Sequence, residues 1–253
     1  PTDDTGIYFL NKINMAILTR KQVREIDQRA ILEYGMSGIV LMENAGRGVA
    51  DWLFRLSAKA ASESAGKPTF PSGPVTIVCG KGNNGGDGFV IARHLDAFDI
   101  RVRVLLLFNP SELSGDAAVN YSIIQKAGLS FEIFSDPLDA AKFDAALSGA
   151  TWLVDAILGT GAIGKPKSPY SEAIDRMNAS GVPIIAVDLP SGLDCDTGVA
   201  SESTIRASYT CTFVAAKPGL YLPAAKEFVG TVLVVDIGVP RRLMEELDHS
   251  KHL

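Results

Sequence analysis

The chain has 253 residues, 24 Lys+Arg against 29 Asp+Glu, a net charge of −5, and 47% apolar against 21% charged residues. That balance excludes wholesale disorder, and the acidic excess argues against a general nucleic-acid binder, which needs a basic footprint. No apolar run approaches the ~20 residues of a membrane helix, so no membrane span is expected.

Residues 1–18 read as an N-terminal extension, whose first fourteen residues carry no signal-peptide or transit-peptide pattern; a cytoplasmic location is expected. Thr19-Arg20-Lys21-Gln22 is a capping box ahead of Val23, Ile26 and Ala30, so a helix opens there. After a break at Gly35, Leu41, Ala45, Gly48, Val49, Trp52, Leu53 and Leu56 recur at helical spacing. Glu43 and Asn44 interrupt that stripe, as an exposed helix face or as a dimer or site contact. Residues 58–74, rich in Ala, Ser, Gly and Pro, read as a connector.

From residue 75 short apolar runs alternate with helical stretches. Strands are predicted at 75–79, 100–108, 130–134, 151–155, 184–188, 210–216 and 231–236, and helices at 86–97, 113–127, 137–148 and 169–179. The last helix would take Ser168 as N-cap and Pro169 as its first residue. Residues 241–253 read as a charged tail. Strands that are apolar throughout are covered on both faces, so the alternation predicts an α/β fold with a mostly parallel sheet between helical layers. In such a sheet, ligands bind beyond the carboxyl ends of the strands.

Two scarcities narrow the chemistry. Cys79, Cys195 and Cys211 are widely spaced and form no CxxC pair, which fits buried thiols rather than a disulfide framework or zinc site. Of the histidines, His249 and His252 lie in the tail, leaving His94 alone for any triad. An enzyme of this composition works with carboxylates, amides, lysine or a bound ion.

Three motifs follow strand ends. GNNGGDG (82–88) joins the first strand to a helix, where a glycine-rich turn and free N–H groups favour phosphate. It is not the GxGxxG fingerprint. VDAILGTGAIGK (154–165) resembles a Walker A loop, but Pro166 stands where a hydroxyl must hold Mg²⁺, so a P-loop nucleotidase is not expected. VDLPSGLDCDTG (187–198) places Asp188 at a strand end and Ser191 in a turn that is not GxSxG, so a serine hydrolase is rejected. Asp194 and Asp196 read as solvated turn residues. Asn84, Asp155, Asp188 and Ser191 together offer oxygen ligands for a hard cation, or carboxylates whose proton affinities diverge.

With LMENAGR (41–47), GDAAVN (115–120) and KPG (217–219), these motifs occur in the order found in the NAD(P)H-hydrate epimerase family, the YjeF N-terminal domain, which the chain resembles from about Thr19 to Val239. The resemblance implies one Rossmann-like αβα sandwich domain over residues 19–240, commonly homodimeric. Its reaction would interconvert the R and S forms of hydrated NADH and NADPH, whose extra hydroxyl sits at C6 of the nicotinamide ring. It also implies an ATP- or ADP-dependent dehydratase as functional partner, on a separate chain or a missing half. No nucleic-acid or membrane partner is implied.

Carried over by position, the substrate contacts are Asn83, Asn84, Gly85, Gly86 and Asp87, then Gly159, Thr160, Gly161, Ala162, Ile163, Gly164 and Lys165, and Asp188. One K⁺ per subunit would be held by Asn84, Asp155 and Ser191 with backbone carbonyls. Asp188 is the expected acid/base group, with Lys165 as a second proton carrier or phosphate contact. The competing readings are a non-catalytic nucleotide-, RNA- or protein-binding module of the same fold, and a transferase or kinase acting on a nucleotide.

Overall fold

The computed structural model describes residues 16–65 and 73–249. Seven strands form one sheet in the order β3-β2-β1-β4-β5-β6-β7, and every neighbouring pair is parallel. They are β1 (Val75–Cys79), β2 (Val102–Leu106), β3 (Phe131–Ile133), β4 (Trp152–Ala156), β5 (Ile184–Val187), β6 (Tyr209–Phe213) and β7 (Thr231–Val235). The helices are α1 (Arg20–Leu32), α2 (Gly38–Ala65), α3 (Asn83–Ala97), α4 (Gly115–Lys126), α5 (Ala140–Leu147), α6 (Tyr170–Ala179), α7 (Lys226–Val229) and α8 (Arg241–His249).

The period-2 geometry of a strand sends alternate side chains to opposite layers. Ile77, Cys79, Val154, Ala156, Ile185 and Val187 pack with α1, α2, α3, α4 and α8. Val78, Leu153, Ile157 and Ala186 pack with α5 and α6 on the other face. This double cover explains why the strands read as unbroken apolar runs. A third cluster, including Leu189, Leu193, Cys195 and Leu220, supports the loops beyond β5 and β6.

α1 opens with the anticipated capping box, in which Thr19 and Gln22 satisfy each other's backbone N–H groups. α3 begins three residues earlier than predicted, so most of GNNGGDG forms the first turns of a helix rather than a loop. Glycine disfavours helix interiors, but packing decides here: a Cβ on Gly85 would overlap the Gly80 carbonyl oxygen. β2, β5 and β6 stop short of their predicted ends, the latter two because Asp188 (φ +69°) and Val214 (φ +65°) leave the extended conformation. Pro169, not Ser168, is the N-cap of α6; the Ser168 hydroxyl instead donates to Asp136 at 2.7 Å.

Both ends of the chain's described part are more structured than anticipated. Leu18 is buried in the main core and its N–H donates to Ala216 O at 2.9 Å. The presumed C-terminal tail contains α8, which packs on α1 through buried Leu243 and an Arg29–Glu246 ion pair of 2.6 Å. The segment from 58 to 65 continues α2 instead of forming a connector, and residues 66–72 of that predicted connector lie outside the described residues. Leu243→Ala is expected to cost about 2–5 kcal/mol in urea unfolding, as removal of a buried leucine does. A loss below about 0.5 kcal/mol, typical of surface substitutions, would mean that α8 is not part of the cooperative fold.

Candidate functional site

The sheet order reverses direction between β1 and β4, which makes their carboxyl ends a topological switch point. Their register pairs Cys79 with Ala156, so the segments leaving both strands rise side by side. A cleft of about 670 Å³ opens above them. Its walls come from α1 and α2, the start of α3, the loop after β4, Asp188 and the turn after β6.

On the β1 side, Gly82 is the extended N-cap of α3 and supplies no side-chain cap. The N–H groups of Asn83, Asn84 and Gly85 have no partner inside the helix and carry its positive dipole end, an arrangement suited to phosphate. Asn83, Asn84 and Asp87 line the cleft, whereas Gly85 and Gly86 are buried. The Nδ2 of Asn84 is buried without a hydrogen-bond partner among the described residues. Burial pushes the Asp87 carboxyl well above the usual range, reinforced by Asp188 and Asp27.

On the β4 side, Asp155 is wholly buried. The Ser191 hydroxyl donates to its Oδ1 at 2.6 Å, Ser191 N–H to its Oδ2 at 2.8 Å, and Ile157 N–H to Oδ1 at 3.2 Å. Leu158 N–H in turn donates to Ser191 Oγ at 2.9 Å. This network ties the β4 loop to the β5 loop beneath the cleft. Burial pushes Asp155 up to about 6 despite these hydrogen bonds. Among the described residues its hydrogen-bond partners include no cationic side chain. The mixture of carboxylate, hydroxyl and amide oxygens is a hard donor set of the kind alkali and alkaline-earth cations take.

Asp188 occupies a γ-turn: Leu189 N–H donates to Val187 O at 2.9 Å around the positive φ. Val214 forms the same turn at the end of the adjacent strand, with Ala215 N–H donating to Phe213 O at 2.7 Å. Such turns are rare and strained for residues with a Cβ. Lys217, with no exposed surface, bridges them. Its ammonium donates to Asp188 Oδ1 at 2.9 Å, Thr212 Oγ1 at 2.6 Å and Phe213 O at 3.0 Å. Thr160 N–H donates to Asp188 Oδ2 at 2.7 Å. Burial alone would raise the Asp188 carboxyl; the Lys217 charge and the hydrogen bonds from Thr160 and Lys217 outweigh it and hold the group below its ordinary value. A Cβ on Gly159 would stand 3.0 Å from Asp188 Oδ2 and 3.1 Å from Asn84 Oδ1, a tight fit that would require one of those side chains to shift by a few tenths of an ångström.

Asn83, Asn84, Asp87, Gly159, Thr160, Gly161, Ala162 and Asp188 therefore meet at one cleft, with Asp155 and Ser191 buried next to it. Ile163, Gly164 and Lys165 do not join its wall. The loop is tied down as far as Ala162, whose carbonyl accepts from Arg20 at 2.6 Å, while Ile163 is 82% exposed and Lys165 is exposed. The ammonium beside Asp188 is that of Lys217, a residue quoted in the KPG motif but given no role. A lysine inside the apolar run from Phe213 to Leu220 was the available signal, because a buried charge demands a partner. Asp27 of α1 was missed altogether. Asp194 and Asp196 are less solvent-facing than expected: the Arg20 guanidinium donates to Asp194 Oδ2 at 2.8 Å and Arg20 N–H to Asp196 Oδ1 at 2.8 Å, fastening α1 to their turn. Glu43 pairs with Arg93 and His94 of α3, and Asn44 donates to Ile237 O, so both make contacts within the chain and neither lines the cleft.

Lys217→Met leaves Asp188 buried without its counter-charge, a change that costs about 3–5 kcal/mol. In the wild type, the lowered Asp188 contributes stability above the unfolded carboxylate value, and this is lost as pH falls through the folded value. In the variant, burial raises the carboxyl and the sign reverses. The stability deficit measured in urea is therefore expected to be larger near pH 8 than near pH 4; equal deficits would contradict the pairing.

Comparison with known proteins agrees with this arrangement. Residues 38–219 match the family described as YjeF-related protein N-terminus. The chain is 48% identical over 232 residues to the NAD(P)H-hydrate epimerase of Pirellula staleyi, covering 92% of this chain and 96% of that protein. It is 40% identical over 229 residues to the NAD(P)H-hydrate epimerase of Rhodopirellula baltica, covering 90% and 87%. A bifunctional NAD(P)H-hydrate repair enzyme Nnr from Moorella thermoacetica is 36% identical over 94% of this chain, which spans 43% of that larger protein. In fold, the chain is similar to the crystal structure of yeast ynu0, with a TM-score of 0.75 at 24% identity, covering 91% and 93% of the two chains. A YjeF N-terminal sequence match over most of the chain, on a Rossmann-like parallel sheet, shows that this chain belongs to the YjeF-related N-terminal family.

Proposed function

We propose that the chain is an isomerase that interconverts the R and S forms of hydrated NADH and NADPH. The observation that carries this reading is the near-full-length similarity to two proteins named NAD(P)H-hydrate epimerase. The cleft supports it chemically. A dinucleotide's phosphates suit the free N–H groups at the start of α3, and we assign Lys165, exposed beyond the cleft wall, as an outer phosphate contact.

Epimerisation at C6 requires loss of the hydroxyl with help from the ring-nitrogen lone pair, then return of water to the opposite face. The C6–O bond breaks as a proton reaches the leaving oxygen, and the new C–O bond forms as a base takes a proton from the incoming water. Asp188 is the base: Lys217 and Thr160 keep it ionised and aim it into the cleft. It needs neither histidine nor a redox cofactor.

The fit of a monovalent cation rests on the buried Asp155 carboxylate, which has no cationic side-chain partner among the described residues, with the Ser191 hydroxyl oxygen against it. The Asn84 side chain could contribute only its amide oxygen, because its Nδ2 is a donor. We assign K⁺, one per subunit, to Asn84, Asp155 and Ser191; when bound it supplies positive charge that anchors the loops beneath the substrate. The dehydratase that completes repair acts from another chain or from sequence outside these residues, as the larger bifunctional relatives imply. A cytoplasmic homodimer is the proposed working form, and among the described residues no helix is long and apolar enough to cross a membrane.

Incubated with one pure epimer, the wild type should equilibrate the R/S ratio, followed by chromatography, and Asp188→Ala should lose about 10²–10⁴-fold in rate, the usual worth of a general base. Equal rates would remove Asp188 from the chemistry. Replacing K⁺ by a bulky organic cation should lower both rate and Tm, since a ligand bound only to the native state stabilises it. An unchanged Tm would count against the cation site.

A further inference from the structure

We propose that Asp27 on α1 is the proton donor to the departing hydroxyl, working across the cleft from Asp188. This assignment rests on the epimerase reading and adds the acid that the reaction requires. Val23, Arg24, Asp27 and Ile31 recur on one face of α1 and line the cleft. That helix precedes the segment matched by the family, residues 38–219.

Asp27 is partly buried, yet no hydrogen bond or ion pair reaches its carboxyl among the described residues. The arginines of the same helix are all engaged elsewhere. Arg20 holds Asp194 and Ala162 O, Arg24 donates to Gly161 O, and Arg29 pairs with Glu33 and Glu246. A half-buried carboxyl that three neighbouring cations leave unpaired is poorly explained as a structural element. The unpartnered Asn84 amide, also on the cleft wall, marks the same space as one built for a polar ligand.

The charged and titratable groups that share the cleft with Asp27 are Arg24, Lys81, Asp87, Asp116, Tyr170 and Asp188. Lys81 is paired with Glu112 at the rim, and the buried Lys217 serves Asp188. Burial and the Asp188 charge raise Asp27 to about 6, against a smaller opposing effect of Lys217. The two carboxyls thus differ in proton affinity: at and below about pH 6 Asp27 carries a proton to give while Asp188 stays ionised to take one, and at neutrality a minor fraction of Asp27 keeps its proton. Asp87 is raised too, but it is more deeply enclosed, whereas Asp27 keeps some solvent contact through which to recover a proton.

In the step, the Asp27 proton passes to the C6 oxygen as that C–O bond breaks and the ring-nitrogen lone pair forms the C=N bond. Water then adds to C6 from the other face, its proton passes to Asp188, and the C=N electrons return to nitrogen. Solvent resets the two carboxyls, so substrate and product differ only in configuration.

The test compares wild type, Asp27→Asn and Asp27→Glu on one pure epimer across pH. The wild-type kcat/KM, which reports groups of the free enzyme, should fall as pH rises above about 6. Asp27→Asn should lose about 10²–10⁴-fold in kcat with KM little changed, and lose that limb of the profile. Asp27→Glu should keep the limb and part of the rate. Because a raised carboxyl destabilises the folded state as pH climbs past its unfolded value, Asp27→Asn should also raise Tm near pH 8 and not near pH 4. Wild-type kcat in Asp27→Asn, an effect confined to KM, or a lower Tm near pH 8 overturns the assignment alone. A wild type inert toward both epimers overturns the epimerase reading and this assignment together.

Discussion

A lysine without exposed surface needs an anion, and Lys217 finds it in Asp188. Much of the site's geometry depends on that contact. Lys217 and Asp188 stand at neighbouring strand ends, where two γ-turns hold Asp188 and Val214 at positive φ. Backbone strain of this kind persists only where its surroundings over-determine it. Here the ammonium bonds to the side chain of one turn and to the carbonyl that opens the other. A buried ion pair is weak evidence for stability; its consequence here is the direction and charge of one carboxylate.

The sheet then brings the other parts to that carboxylate. The switch point between β1 and β4 opens the cleft. The buried Asp155–Ser191 contact joins the β4 and β5 loops from below, and Arg20 pins α1 to both from above. The cleft thus combines an anion-favouring helix end, an oxygen-rich buried pocket, and carboxyls of different proton affinity. Each follows from what stands just beyond a parallel strand.

The strands were legible because apolar runs covered on both faces end abruptly at Gly, Pro or Asp. Asp155, Asp188 and the glycine-rich segments were legible for the same reason, as polar residues placed where a parallel sheet binds ligands. The start of α3 was not, because propensity speaks against glycines inside a helix and only contact with Gly80 shows why they are there. Lys217 and Asp27 were missed on different grounds. Lys217 meets its partner 29 positions away, and Asp27 reaches the cleft because Arg20 ties α1 to loops 142 and 174 positions distant. Local spacing carries no trace of such pairings. Lys165 shows the converse: the glycine-rich loop reads as one continuous contact surface, but it turns outward after Ala162 and leaves Lys165 exposed beyond the cleft wall.

A carbon-13 NMR titration of the Asp188 carboxyl reports directly on whether Lys217 governs the site. In the wild type the resonance should titrate below the ordinary aspartate value, and in Lys217→Met it should move above it. A wild-type carboxyl that titrates at or above the ordinary value would show that the ammonium does not hold it ionised, and the proposed base would lose its physical basis.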